Sequence, residues 1–241
     1  MNKQKLVRFI NKYYLNGIAD SVVLKSNSNE QKLFTKFVSS DKTLLGVIQM
    51  DSWNFEDANI GVYTTEQLLK LLSVLDEDIT VSLTKSEDKA ISLKISDLLS
   101  SVNYMLSDIS IINEPPQLQN IPNFELSINV TPTIINKFIS GKSALPDTTT
   151  FTVITNETST KLVIGYSSVN TNRVTIPVIT SDFTSIDNVS FNAEYFSQIL
   201  LANKECESAI LQVSSQGLIK IDFKIDNYVA TYWLVAASDV D

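Results

Sequence analysis

The chain is written twice, and this duplication limits what it can fold into more than any other feature. Arg8-Phe9-Ile10-Asn11-Lys12-Tyr13-Tyr14 returns as Thr133-Ile134-Ile135-Asn136-Lys137-Phe138-Ile139. Tyr63-Thr64-Thr65-Glu66-Gln67-Leu68 returns as Phe191-Asn192-Ala193-Glu194-Tyr195-Phe196, and Ser101–Ser107 returns as Val229–Val235. The offsets are 125, 128 and 128 residues, so order and spacing persist through the 241-residue chain. An internal repeat of this length means two copies of one domain. Between the copies lies Asn113–Asn123, which holds three of the six prolines and reads as an extended linker. The expected division is a first domain over 1–112, a linker over 113–123 and a second domain over 124–241.

Both copies contain the same helix signals. Leu6, Phe9, Ile10, Tyr13 and Tyr14 follow the spacing of one buried helical face, with Gly17 placed as a stop. Thr131-Pro132 opens the counterpart, whose stripe is Ile134, Ile135, Phe138 and Ile139, and Gly141 is expected to end it. A second pair of helices starts at Thr64 and Asn192. Thr64 with Gln67 has capping-box spacing, and Tyr63 with Leu68 and Phe191 with Phe196 have staple spacing. Leu68, Leu71, Leu72 and Leu75 face one core; Phe196, Ile199 and Leu200 face the other. The remaining segments rich in Val, Ile, Thr and aromatics are expected as short strands: 79–83, 90–95, 102–106, 125–130, 161–166, 174–179, 209–213, 218–225 and 228–235. Ile219, Ile221 and Phe223 alternate with Lys220, Asp222 and Lys224, a pattern suited to an antiparallel sheet with one wet face. Pro177 places its strand at an edge. The expected class is α+β: two similar domains, each with two helices packed on antiparallel sheet.

Composition removes several chemistries. The chain has no histidine, the commonest general base, and one cysteine, Cys206, flanked by Glu205 and Glu207. It has six glycines and no phosphate-binding glycine loop. Neither enzyme activity nor a cofactor or metal is expected. With mean hydropathy +0.07 and no long apolar run, no membrane partner is expected either. The N-terminus lacks an apolar signal stretch, and a single cysteine suits a reducing cytoplasm. Trp53 and Trp233 read as packing residues, and Asp76-Glu77-Asp78 as a solvated turn.

Net charge is −8, yet the positive charges are not scattered. On the first helix Lys5, Arg8 and Lys12 fall within about 60° of one another, opposite the apolar stripe. Lys3 precedes them. The repeated helix carries Lys137, with Lys142 after it, and the second-type helices carry Lys70 and Lys204. Acidic residues crowd turns such as Asp76–Asp78 and the end Asp239-Val240-Asp241. One such ridge is ordinary for a solvated helix; simple lysines on repeated helices also suit phosphate contact without sequence choice.

Two α+β halves, each with two short helices, an extended linker and basic helices on an acidic chain resemble the sliding clamps of DNA replication. The pattern is most similar to the trimeric clamps of T-even-type bacteriophages, with proliferating cell nuclear antigen more distant. Leu45–Met50, Tyr63–Leu72 and Asn227–Ala236 carry the resemblance, which spans nearly the whole chain. It implies a homotrimeric ring around double-stranded DNA, bound without sequence choice, that tethers a DNA polymerase and is loaded by a clamp-loader ATPase. It implies that Lys3, Lys5, Arg8, Lys12, Lys70, Lys137, Lys142 and Lys204 face DNA. It implies a partner-peptide pocket at Leu45, Val47, Trp233, Val235 and Ala236, although the nuclear-antigen pattern has proline where Ala236 stands. It implies subunit pairing between the segments of Ile109 and Ile111 and of Val174 and Ile176. The place of work would be the cytoplasm, that of the host if a phage encodes the chain. A duplicated-domain phage structural or adaptor protein is the alternative; it would oligomerise without stimulating a polymerase.

Overall fold

A computed structural model describes residues 1–87, 89–156, 159–169 and 171–237. The acidic end Asp239-Val240-Asp241 lies outside the described residues. In chain order the elements are α1 (Lys3–Tyr14), β1 (Val22–Asn27), β2 (Lys32–Val38), β3 (Leu44–Asp51), β4 (Ala58–Val62), α2 (Thr65–Ser73), β5 (Thr80–Ser86), β6 (Lys89–Ser96) and β7 (Ser101–Met105). There follow β8 (Leu126–Val130), α3 (Pro132–Ala144), β9 (Thr150–Asn156), β10 (Ser159–Ile164), β11 (Val174–Asp182), β12 (Val189–Asn192), α4 (Ala193–Ala202), β13 (Ala209–Ser214), β14 (Leu218–Ile225) and β15 (Tyr228–Val235). The chain forms two compact units: Met1–Ser40 with Gly46–Pro116, and Asp41–Leu45 with Gln117–Asp241.

The repeat is topological as well as sequential. In the first unit β3-β2-β1-β4 lie side by side, and β5-β6-β7 form a second sheet. In the second unit β11-β10-β9-β12 and β13-β14-β15 repeat both orders. Among the described residues, the pairings along β2-β1-β4, β5-β6-β7, β12-β9-β10-β11-β8 and β8-β13-β14-β15 are antiparallel. The second unit adds β8, which joins β11 to β13. In the first unit that place holds the bridge Asn2↔Asp78, where the Ile79 amide donates to the Met1 carbonyl at 2.9 Å. Each unit is α+β, with its helices paired as α1 with α2 and α3 with α4.

Local signals set most helix faces. Leu6, Phe9, Ile10 and Tyr13 are buried as their spacing requires, while Tyr14 is half-buried. The Asn2 side chain caps α1 by accepting from the Gln4 amide at 2.8 Å. The helix stops earlier than Gly17 implies: Leu15 already has φ 46°, followed by Asn16 at 56° and Gly17 at 99°. Asn192 caps α4 as expected, accepting from the Tyr195 amide at 2.9 Å. Thr64, by contrast, makes no side-chain cap on α2. Asp20, remote in sequence, takes that role: its carbonyl accepts the Thr65 amide at 3.0 Å and hydroxyl at 2.7 Å, and its carboxylate accepts the Glu66 amide at 3.2 Å. Tyr63 remains exposed, so the expected staple with Leu68 does not bury it.

Gly141 does not end α3, which continues to Ala144. An added Cβ there would meet Val174 Cγ1 at 3.0 Å and Ile164 Cδ1 at 3.1 Å. The glycine lets the helix lie close on β10 and β11. Around it Phe138, Phe151 and Phe196 form the second core, with ring centroids 4.7–5.1 Å apart. In the first unit Phe9 and Tyr13 meet edge to face at 6.0 Å, and they are buried, as are Leu68 and Leu72 of α2.

The nine expected strand segments all form. The six strands β1, β2, β3, β4, β9 and β12 were not among them. Pro177 is half correct as an edge marker. Within β11, Val174–Val178 pair with β10, whereas pairing with β8 begins only at Ile179. The stretch that holds the proline therefore has one neighbour, and the end of the same strand is internal to the sheet.

Candidate nucleic-acid interface

The two helices with repeated basic residues carry positive charge only. α1 holds Lys3, Lys5, Arg8 and Lys12 with no acidic residue, and α3 holds Lys137 and Lys142 with none. The chain as a whole has 27 acidic and 19 basic residues, so this segregation is local. Helix α2 balances Glu66 against Lys70, paired at 2.6 Å one turn apart on an exposed face. Glu194 opens α4, where a carboxylate suits the positive helix end.

Burial separates the candidate cations. Lys5, Lys70, Lys137 and Lys204 are exposed, and Lys3 and Arg8 are half-buried. The Lys3 ammonium donates to the Leu75 carbonyl. Lys12 is fully buried, which corrects its expected place on a solvent-facing ridge. It stands in the last turn of α1, where a cation suits the negative helix end, and the chain folds back just beyond it. Periodicity had given its direction around the helix but not its depth. Lys142 is also buried: it donates to the Pro146 carbonyl at 2.9 Å and pairs with Glu194 at 3.2 Å. Glu194 is held below the usual glutamate range first by its hydrogen bond from Gln198 and then by Lys142. Lys142 thus ties α3 to α4 and presents little charge to solvent.

The expected pairing segments differ from expectation in one respect. Ile109–Ile111 form a single 3-10 turn, not an extended strand, with Ile109 47% and Ile111 60% exposed. The Asp108 side chain fixes the turn by accepting from the Ser110 amide at 2.9 Å. The free strand edge is the one just before it, since β7 stands at the end of its sheet. In the second unit Val174 is half-buried and Ile176 buried, so this stretch of β11 offers its main-chain edge and the exposed Thr175 and Pro177, not the two expected apolar side chains. No sequence signal separates these cases, because a short apolar run fits a turn or a strand.

Among the expected pocket residues, Leu45 is buried, Val47 and Ala236 half-buried and Val235 48% exposed. In the second unit the Val235 amide donates to the Thr43 carbonyl, and the Ala236 amide to the Gly217 carbonyl, each at 2.8 Å. These bonds pin the closing strand. The Trp233 indole N–H is buried without an acceptor among the described residues, a cost of about 1–3 kcal/mol.

A cleft of about 740 Å³ in the first unit is lined by Leu83, Lys85, Lys89, Ile91 and Asp108, among others. Lys85 pairs with Glu56 there. No group of metal-ligating side chains is found among the described residues, and no described helix is long and apolar enough to cross a membrane.

No family model matches the sequence, and no curated protein does. Among solved structures, the proliferating cellular nuclear antigen of Entamoeba histolytica is similar over 99% of this chain and 97% of its own, with a TM-score of 0.76 and 16% identity. Two α+β units of matching strand order, each with two helices on antiparallel sheet, give this chain the clamp fold of that antigen.

Proposed function

We propose that the chain is a sliding clamp: three copies encircle duplex DNA and tether a replicative polymerase, without catalysing a reaction themselves. The observation that carries this reading is the pair α1 and α3, equivalent helices that hold only positive charge on a chain of net charge −8. Whole-length likeness to a nuclear antigen supports the architecture. We take the division into domains over 1–112 and 124–241, joined by 113–123, as the working unit of the ring. Lys5, Arg8, Lys70, Lys137 and Lys204 are the cations this reading turns toward phosphate, with Lys3 beside them. Lys12 and Lys142 support the helices from within.

Such contacts need not be tight. A closed ring is retained by topology, and few released counterions leave it free to slide. The free edges of β7 and of Val174–Val178 would pair between copies, because exposed edges invite another strand. Val235, Ala236 and Trp233 would receive an extended segment of the polymerase or of a loader ATPase. On this reading the chain is a trimeric clamp of the T-even-type phage kind and works in a host cytoplasm.

The test is retention on nicked circular DNA after loading, followed by processive synthesis with the cognate polymerase. Lys5→Ala/Arg8→Ala/Lys137→Ala should shorten the products and flatten the salt dependence of DNA binding. Unchanged products from the triple variant would remove these cations from the DNA-facing set. A clamp that leaves circular and linear DNA at the same rate would remove encirclement.

A further inference from the structure

We propose that the Leu98-Leu99 turn of one copy covers Ile179 of the next, forming an apolar clasp beside the paired strand edges. The inference rests on the trimer reading above and names the occupant of this turn: a second copy of the chain. Leu98 is 97% exposed, Leu99 87% and Ile179 74%, the three most exposed large apolar side chains among the described residues. They are not scattered. The turn leads directly into the free edge of β7, and Ile179 follows directly on the free stretch Val174–Val178 of β11.

The turn is built, not loose. The Asp97 carboxylate accepts from the Leu99 amide at 2.8 Å, the Ser100 amide at 2.5 Å and the Asp76 amide at 2.7 Å. The Asp97 amide donates to the Ser100 carbonyl at 3.0 Å, closing the turn with both leucines outward. The equivalent turn of the second unit, between β14 and β15, is the polar pair Asp226-Asn227. A polar pair therefore suffices for this connection, and the two leucines are not needed to make it.

An antiparallel register that keeps both buried faces inward brings the three side chains together. Pairing inside both units is antiparallel, and a slip of one residue would put buried side chains on the wet face. Val102 and Tyr104 of β7 point inward, as do Ile176 and Val178 of β11. Registers two residues apart all match these faces; the clasp is the one that sets Tyr104 against Ile176 and Val102 against Val178. Ile179 then stands opposite Ser101 and diagonal to Leu99, a separation of roughly 7–8 Å that long side chains span. Exposed apolar groups beside an open edge invite uncontrolled pairing unless a defined partner covers them.

The experiment is sedimentation equilibrium of the full chain, the Leu98→Ser/Leu99→Ser variant and the Ile179→Ser variant. Both variants should raise the concentration for half-assembly at least tenfold, with thermal melts of the unassembled chain unchanged. Wild type and both variants assembling at the same concentration would overturn the clasp and leave the trimer intact. A monomeric wild type would overturn the trimer reading and the clasp with it. In a second measurement, Leu99→Cys/Ile179→Cys is treated with a short bismaleimide; the native Cys206 is buried. Ladders of two and three linked chains are expected, with none from either single variant. An assembling protein that gives no ladder would also overturn the clasp.

Discussion

Gly61→Ala tests how the first unit closes after β7. Gly61 lies on β4, and its φ is one any residue adopts, so the glycine is not needed for its backbone. It is needed for space. An added Cβ would meet the Ser107 carbonyl oxygen at a separation real side chains do not show, Ser107 C at 3.2 Å and Ile112 Cδ1 at 3.4 Å. The obstacle is main chain, which cannot rotate away, and it is held there because the Ser107 amide donates to the Gly61 carbonyl at 3.0 Å. Overpacking of this kind costs about 1–3 kcal/mol, and the strained hydrogen bond adds about 1 kcal/mol. Alanine returns about 0.5–1 kcal/mol by restricting the unfolded chain. The expected net loss is about 2 kcal/mol, confined to the first unit. Trp53, buried there and donating to the Ser26 hydroxyl at 3.0 Å, reports on that unit once Trp233 is replaced by Phe. Urea unfolding of this background with and without Gly61→Ala measures the loss, and amide exchange at Ser107 should quicken in the variant. A change in unfolding free energy below about 0.5 kcal/mol would show that residues 106–112 are not anchored through Gly61.

Other perturbations address separate points. Phe138→Ala empties the centre of the second core and should cost about 3–5 kcal/mol by Trp233 fluorescence in urea; a loss under 1 kcal/mol would mean the three rings do not form one cluster. Asp20→Ala should destabilise the first unit by about 1 kcal/mol, while Thr64→Ala changes it by less than about 0.5 kcal/mol. The reverse order would restore Thr64 as the cap. Burial pushes the Tyr13 and Tyr232 phenols well above their usual value, near 10 for tyrosine. Their neutral forms are favoured in the fold, so stability should hold below about pH 10 and fall as pH rises beyond it. Urea midpoints from pH 8 to alkaline conditions should show this loss, reduced in a Tyr13→Phe/Tyr232→Phe chain; a flat profile would contradict the burial.

Much of the architecture was legible in the residues because its signals are local. The repeat, four helix sites, the alternating face of β14 and the cap at Asn192 each depend on neighbours within about one helical turn or along one strand. Basic charge concentrated on α1 and α3 could also be read directly. Spacing fixes a side chain's direction on its own element, and direction is all it fixes.

What packs against that direction belongs to the tertiary structure. Gly141 has the signature of a helix stop, yet it is there because Val174 and Ile164 leave no room for a Cβ. Thr64 has the spacing of a cap, yet Asp20 arrives from another turn and takes the helix end. Lys12 shares a face with Lys5 and Arg8, yet in the last turn of α1 it is fully buried. The half-open edge of β11 exists only because β8 pairs with its last residues and not its first. The duplicated sequence determined two matching folds of helix and antiparallel sheet; remote contacts decided which of the repeated residues face solvent and which strand edges remain open.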